Sequence, residues 1–167
     1  MEDHVSSIGM QINTKKTTLM LFNLTKNRQC LPFCSLMDCE PLQFVGESRL
    51  LGLVLDDHLT WWPLVRNVVR KAKSKVWSLL KCREIGASVE QLTSVYVTRV
   101  RSTVEYGAQV FHPLLNESQS KEIEEIQRKS LQLILGAKSR SYEANMLTLG
   151  LSPLSERRAL LVKNFAI

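Results

Sequence analysis

Residues 49–62 read RLLGLVLDDHLTWW. A short apolar run, 50–55, is closed by the adjacent acids Asp56 and Asp57 and then by Trp61 and Trp62. Upstream, the chain holds short runs suited to strands; downstream, apolar residues recur with a helical period. The junction predicts an α+β fold, predominantly α, with a β lobe over residues 1–60 and a helical region over 61–167.

Immediately downstream, Trp62, Val65, Val68, Val69, Ala72, Val76, Leu79 and Leu80 fall at three- and four-residue steps, one apolar stripe. Pro63 suits a first helical turn, where its missing N–H does no harm, and Gly86 is a stop signal. Ser88 with Gln91, and Asn116 with Gln119, are capping boxes that open further helices. The stripe of the first is Leu92, Val95, Tyr96, the Arg99 stem, Val100, Thr103 and Val104; Gly107 ends or loosens it. The next runs through Ile123, Ile126, Leu131, Ile134 and Leu135 to Gly136. A short helix over 142–149 closes at Gly150, and Ser155 is a cap for a last one over 156–167. The prediction is a bundle of about five helices.

Upstream, 17–24 (TTLMLFNL), 33–37, 42–45 and 50–55 are strand-like, with turns expected at 38–41 and 46–49. Together they predict a small antiparallel meander, too small to be stable unless it packs on other structure. The start, EDHVSSIGMQIN, reads as the end of a helix whose beginning is missing, or as a frayed terminus, with Val5, Ile8 and Met10 at near-helical spacing before and after Gly9.

Charge is distributed unevenly. Of a net +6, residues 1–57 carry −2, residues 84–167 carry +1, and the 26 residues 58–83 carry +7 with no acid among them. A solvated helix face ordinarily interleaves Glu with Lys; this one does not, which points to a polyanionic partner. Arg66, Arg70, Lys71, Lys73 and Lys75 are the candidate contacts, spaced along a helix of about 30 Å that could follow a phosphate backbone. Trp61 or Trp62 stands at its start to stack or pack, whereas Trp77 and one of that pair are expected in the core.

Other functional classes find little support. No apolar run approaches the roughly 20 residues that span a bilayer. The opening MEDHVSSIG lacks the character of a secretory signal. The expectation is an intracellular protein, in cytoplasm or nucleus, with no membrane partner. Cys30, Cys34 and Cys39 lack the spacing and the histidine partners of common zinc modules, so with Cys82 they read as buried or free thiols. His4, His58 and His112 stand far apart, the glycines are scattered singly, and no G-x-S-x-G occurs. Asp56–Asp57 is the one adjacent Asp pair and could hold Mg²⁺. With no third carboxylate placed nearby, it reads instead as a junction: Asp56 ending a strand in water, Asp57 leading into the helix.

Four blocks in order, GMQINTKKTTLMLFN (9–23), RLLGLVLDDHLTW (49–61), VEYGAQVFHP (104–113) and IQRKSLQLILG (126–136), resemble the C-terminal part of the reverse transcriptase of non-LTR (LINE-type) retrotransposons. The resemblance covers nearly the whole chain. It implies that residues 9–23 match a palm loop and strand, that 50–55 with the strand before it match the primer grip (Leu50, Leu51, Gly52 and Leu53), and that the helices from Trp62 onward match the thumb. Lys16 matches a lysine that would assist pyrophosphate departure as a general acid; an ordinary exposed lysine is the alternative. The family's tyrosine before Leu-Gly is Leu50 here, its histidine after the tryptophan-containing turn is Leu64, and its later tryptophan is Phe111.

The family's aromatic-x-Asp-Asp hairpin, which holds two Mg²⁺ ions, would lie before the first block. The chain is therefore expected to hold no cofactor itself, although the intact polymerase uses Mg²⁺, and to be inactive alone. Its expected partner is RNA, DNA or their hybrid, held through the backbone. A general RNA- or DNA-binding basic module and a non-functional retroelement relic are the alternatives.

Overall fold

The structure, a computed structural model, describes residues 43–165 and, nearer the start, residues 7, 9, 13 and 16–22. The expectations for Val5, Ile8 and Met10, for the run 33–37 and for Cys30, Cys34 and Cys39 fall outside the described residues. The chain divides into two compact units, Met1–Thr60 and Trp61–Ile167.

In the first unit, β1 (Thr18–Leu19) pairs with β2 (Gln43–Phe44), and β3 (Glu47–Leu50) with β4 (Leu53–Asp56). β3 and β4 form an antiparallel hairpin with Leu50 opposite Leu53. Two details differ from the expected meander. β1 and β2 run parallel, and the hairpin turn lies within 50–55 rather than at 46–49. The loop is Leu51–Gly52, with φ of 48° and 85°. Two left-handed residues in succession make the tight turn whose twist matches the flanking strands. Glycine takes that conformation freely, while Leu51 does so at a cost of about 1 kcal/mol. A leucine at a turn position made the run look unbroken.

The second unit is helical. It contains α1 (Trp62–Glu84), α2 (Val89–Val95), a π-helical stretch (Tyr96–Arg101), α3 (Ser102–Glu105), α4 (Ala108–Phe111), α5 (Glu117–Leu135), α6 (Tyr142–Leu149) and α7 (Leu154–Phe165). Both capping boxes form reciprocally: the Ser88 hydroxyl accepts from the Gln91 N–H, the Asn116 side chain from the Gln119 N–H, and each glutamine reaches back to the cap N–H.

The π-helical stretch explains a pattern that the sequence blurred. The residues buried along this segment are Leu92, Tyr96, Val100, Val104 and Ala108, a strict four-residue repeat. In a regular α-helix such a repeat drifts round the axis. Turns closed by i→i+5 bonds advance less per residue and keep it on one side. Arg99 is exposed, and Val95 and Thr103 are only half-buried. Hydroxyls of Thr98, Ser102 and Thr103 bond back to carbonyls four residues earlier, which loosens the helix at this point.

The core joins α1 (Leu64, Val65, Val68, Val69, Ala72, Leu79) to that segment, to Phe111, and to Ile123, Ile126, Leu131 and Ile134 of α5, with Met146 and Leu154 beyond. Polar groups cross it in a connected set. The Tyr96 hydroxyl donates to Gln127 Oε1 at 2.5 Å. Gln127 Nε2 donates to the Tyr142 hydroxyl at 2.8 Å and to the Ser152 carbonyl at 3.0 Å. Tyr142 in turn donates to Glu124. Burial pushes both phenols well above their ordinary values, so they remain neutral donors. The last helix begins at Leu154, one residue before the expected cap. Ser155 lies inside it, and its N–H donates to Glu124.

Candidate nucleic-acid interface

α1 is a 23-residue helix, roughly 35 Å long. Pro63 sits in its first turn, and Lys81 and Arg83 sit in its last, where cations complement the carbonyl end. Its N-cap is Trp61, at φ 64° and without a side-chain cap bond.

The structure sorts the expected contacts into two rows. Arg66, Arg70, Lys73, Trp77 and Lys81 follow one another at steps of four, three, four and four residues, and all are exposed. That spacing puts them on one face. Lys71 and Lys75 come seven residues after Leu64 and Val68, on the border of the buried stripe, and Lys75 is half-buried. Within the first row, the Arg66 guanidinium lies 6.0 Å from the centre of the Trp62 ring. Lys81 Nζ lies 5.4 Å from the Trp77 ring and 2.7 Å from Glu84.

Two tryptophans exchange the roles expected of them. Trp61 is 5% exposed and belongs to the core, so it is not a stacking residue. Trp77, expected in the core, is 60% exposed and stands in the cationic row. The signal was its position, four residues from both Lys73 and Lys81; the general tendency of tryptophan to be buried masked it. Arg83, also exposed, is tied to another helix. Its Nη1 donates to the Leu133 carbonyl at 2.9 Å and closes the C-terminal end of α5.

In the first unit, Lys16 is exposed, with its N–H bonded to the Asn13 carbonyl at 3.0 Å. Leu50, Leu51 and Gly52 form the exposed tip of the β3–β4 hairpin, Leu51 at 84%, while Leu53 is buried. Asp56 departs from expectation, being 7% exposed rather than ending the strand in water. Its Oδ2 accepts the Thr60 N–H at 2.9 Å. Asp57 lies 4.0 Å from His58. Among the described residues, no three His, Cys, Asp or Glu side chains converge on a point that could hold a metal. A carboxylate already engaged by a backbone donor is a poor fit to a two-Mg²⁺ site.

Among the described residues, no helix is long and apolar enough to cross a membrane. Cys82 is a free, half-buried thiol. Comparisons with protein-family models, curated proteins and solved structures give no match.

Proposed function

We propose that the chain is the palm-end, primer-grip and thumb part of a non-LTR retrotransposon reverse transcriptase, an RNA-directed DNA polymerase, and that it holds nucleic acid through its backbone. The observation that carries this reading is the exposed row Arg66, Arg70, Lys73 and Lys81 on a helix stretch with no acid between residues 58 and 83. Such a row neutralises phosphates along a strand and reads no sequence. The four sequence blocks supply the family. Nucleotidyl transfer needs carboxylates that hold Mg²⁺, and Asp56–Asp57 is not preceded by the aromatic residue of the family's hairpin.

The test is fluorescence anisotropy with a labelled RNA–DNA hybrid over a salt series. Binding should weaken steeply as salt rises and be lost when Arg70, Lys71, Lys73 and Lys75 are changed to Glu. Salt-independent binding, or none at low salt, overturns the reading. Primer extension with Mg²⁺ and deoxynucleotides should yield no product; a product would overturn the claim that the chain does not polymerise alone.

A further inference from the structure

Trp77 has an environment that phosphate binding alone does not use. A large indole, 60% exposed, is held between Lys73 one turn before it and Lys81 one turn after it, with Arg70 a further turn back. Leu80, also exposed, is its neighbour three residues on and extends the apolar surface. Lys81 Nζ lies 5.4 Å from the ring centre, so a cation is placed against the indole itself. An exposed tryptophan costs stability in water, and the cations around it disfavour an apolar or basic protein partner.

We propose that Trp77 is a stacking platform for an unpaired nucleobase, so that the Arg70–Lys73–Trp77–Lys81 row, whose cations meet the phosphates of hybrid and single strand alike, adds a stacking contact to a single strand. This rests on the reading of α1 as a nucleic-acid-binding face and narrows it. In a duplex, base faces are covered by their neighbours and a side chain meets only edges and phosphates. In a single strand the faces are available, and stacking on an aromatic ring adds to the phosphate contacts. The row provides both elements: a ring for the base, and Arg70 and Lys73 for the phosphates beside it, with Lys81, itself paired to Glu84 at 2.7 Å, against the ring on the other side.

The test uses the full chain with an oligo(dT) strand and a duplex of the same length, about 20 nucleotides each, in direct binding titrations. Trp77→Ala should weaken oligo(dT) binding about tenfold and duplex binding less than about twofold, while Trp77→Phe keeps most of the single-strand affinity. Indole fluorescence of the unaltered chain should be quenched by oligo(dT), and the quench should vanish in Trp77→Phe. Because the Phe variant changes little volume, this readout stands even where the Ala variant folds poorly. If the chain binds both oligonucleotides but Trp77→Ala affects neither, or both equally, stacking is overturned and phosphate binding survives. If the chain binds neither, both readings fall. If light scattering shows a dimer that Trp77→Ala dissociates, the patch covers a second copy of the chain and the stacking proposal is overturned.

Discussion

The carboxylate of Glu124, in the middle of α5, accepts the backbone N–H of Leu154, the first residue of α7, at 2.9 Å. Its other oxygen accepts from Ser155 at 3.1 Å, and Tyr142 donates to the first. An acid from one helix thus takes the place of a local cap on another, and it matches the positive end of that helix. Glu124→Ala leaves two backbone donors and a phenol without an acceptor. It should lower the unfolding free energy by about 3 kcal/mol, read by urea denaturation. Glu124→Gln, which keeps one acceptor oxygen, should lose less. A loss under about 0.5 kcal/mol for the Ala variant would show that the cap is dispensable.

Gly136 and Arg83 are fitted to each other. A Cβ at Gly136 would lie 2.3 Å from Arg83 Nη2, and the residue sits at φ 55° and ψ −122°, a conformation that side chains resist. Gly136→Ala should cost about 2–3 kcal/mol, part from strain and part from displacing the guanidinium. In an Arg83→Ala background the second part disappears. A double-mutant cycle should therefore show a coupling of about 1 kcal/mol; strict additivity would mean that the guanidinium swings aside freely.

Most of the helical unit was legible in the sequence, because its signals are local. Both capping boxes form, α1 buries most of the expected stripe, with Leu64 added and Leu80 left exposed, and α6 begins and ends where Tyr142 and Gly150 place it. What was not legible depends on residues distant in the chain. Ser155 looked like a cap because nothing nearby announces that Glu124, 31 positions away, performs that role. Nor could the sequence show that Arg83, an exposed cation, bonds the carbonyl of Leu133, 50 positions on, at the end of α5. The hairpin turn was missed for a local reason, since Leu51 is a residue that turns seldom use. The cationic row was legible as composition, but the separation of Lys71 and Lys75 from it, and the place of Trp77 within it, required knowing which arc of α1 is buried.

His112 should make stability depend on pH. Its Nδ1 is within 3.4 Å of Arg158 Nε, and Arg158 is fully buried. Burial, and secondarily the charge of Arg158, hold the imidazole below its ordinary value of 6.5. The unfolded chain then takes up a proton at a higher pH than the folded one does. The contribution is complete above about pH 6.5 and is lost as the pH falls through the lower folded value. Thermal melts should show a Tm that declines across that window, before ordinary carboxylates titrate near pH ~4. His112→Asn, which keeps an acceptor but cannot take the proton, should flatten this part of the profile. An unchanged slope would assign it to other groups.

The two rows on α1 make the charge argument testable by position. Arg70→Glu with Lys73→Glu reverses charge in the middle of the exposed row; Lys71→Glu with Lys75→Glu reverses the same amount at the border of the core. If nucleic acid responds only to total charge, the two pairs should weaken binding alike. If it lies along the row, the first pair should weaken it several-fold more and should flatten the salt dependence by about one phosphate for each contact removed. The second pair should leave most of the salt slope in place. Lys75 is half-buried, so its replacement should lower Tm more than that of Lys73 does. The first pair is thus expected to act on binding and the second chiefly on folding, a contrast that anisotropy and thermal melts on the two double variants would resolve. Equal binding losses from the two pairs at equal Tm would mean that no row on α1 guides the strand.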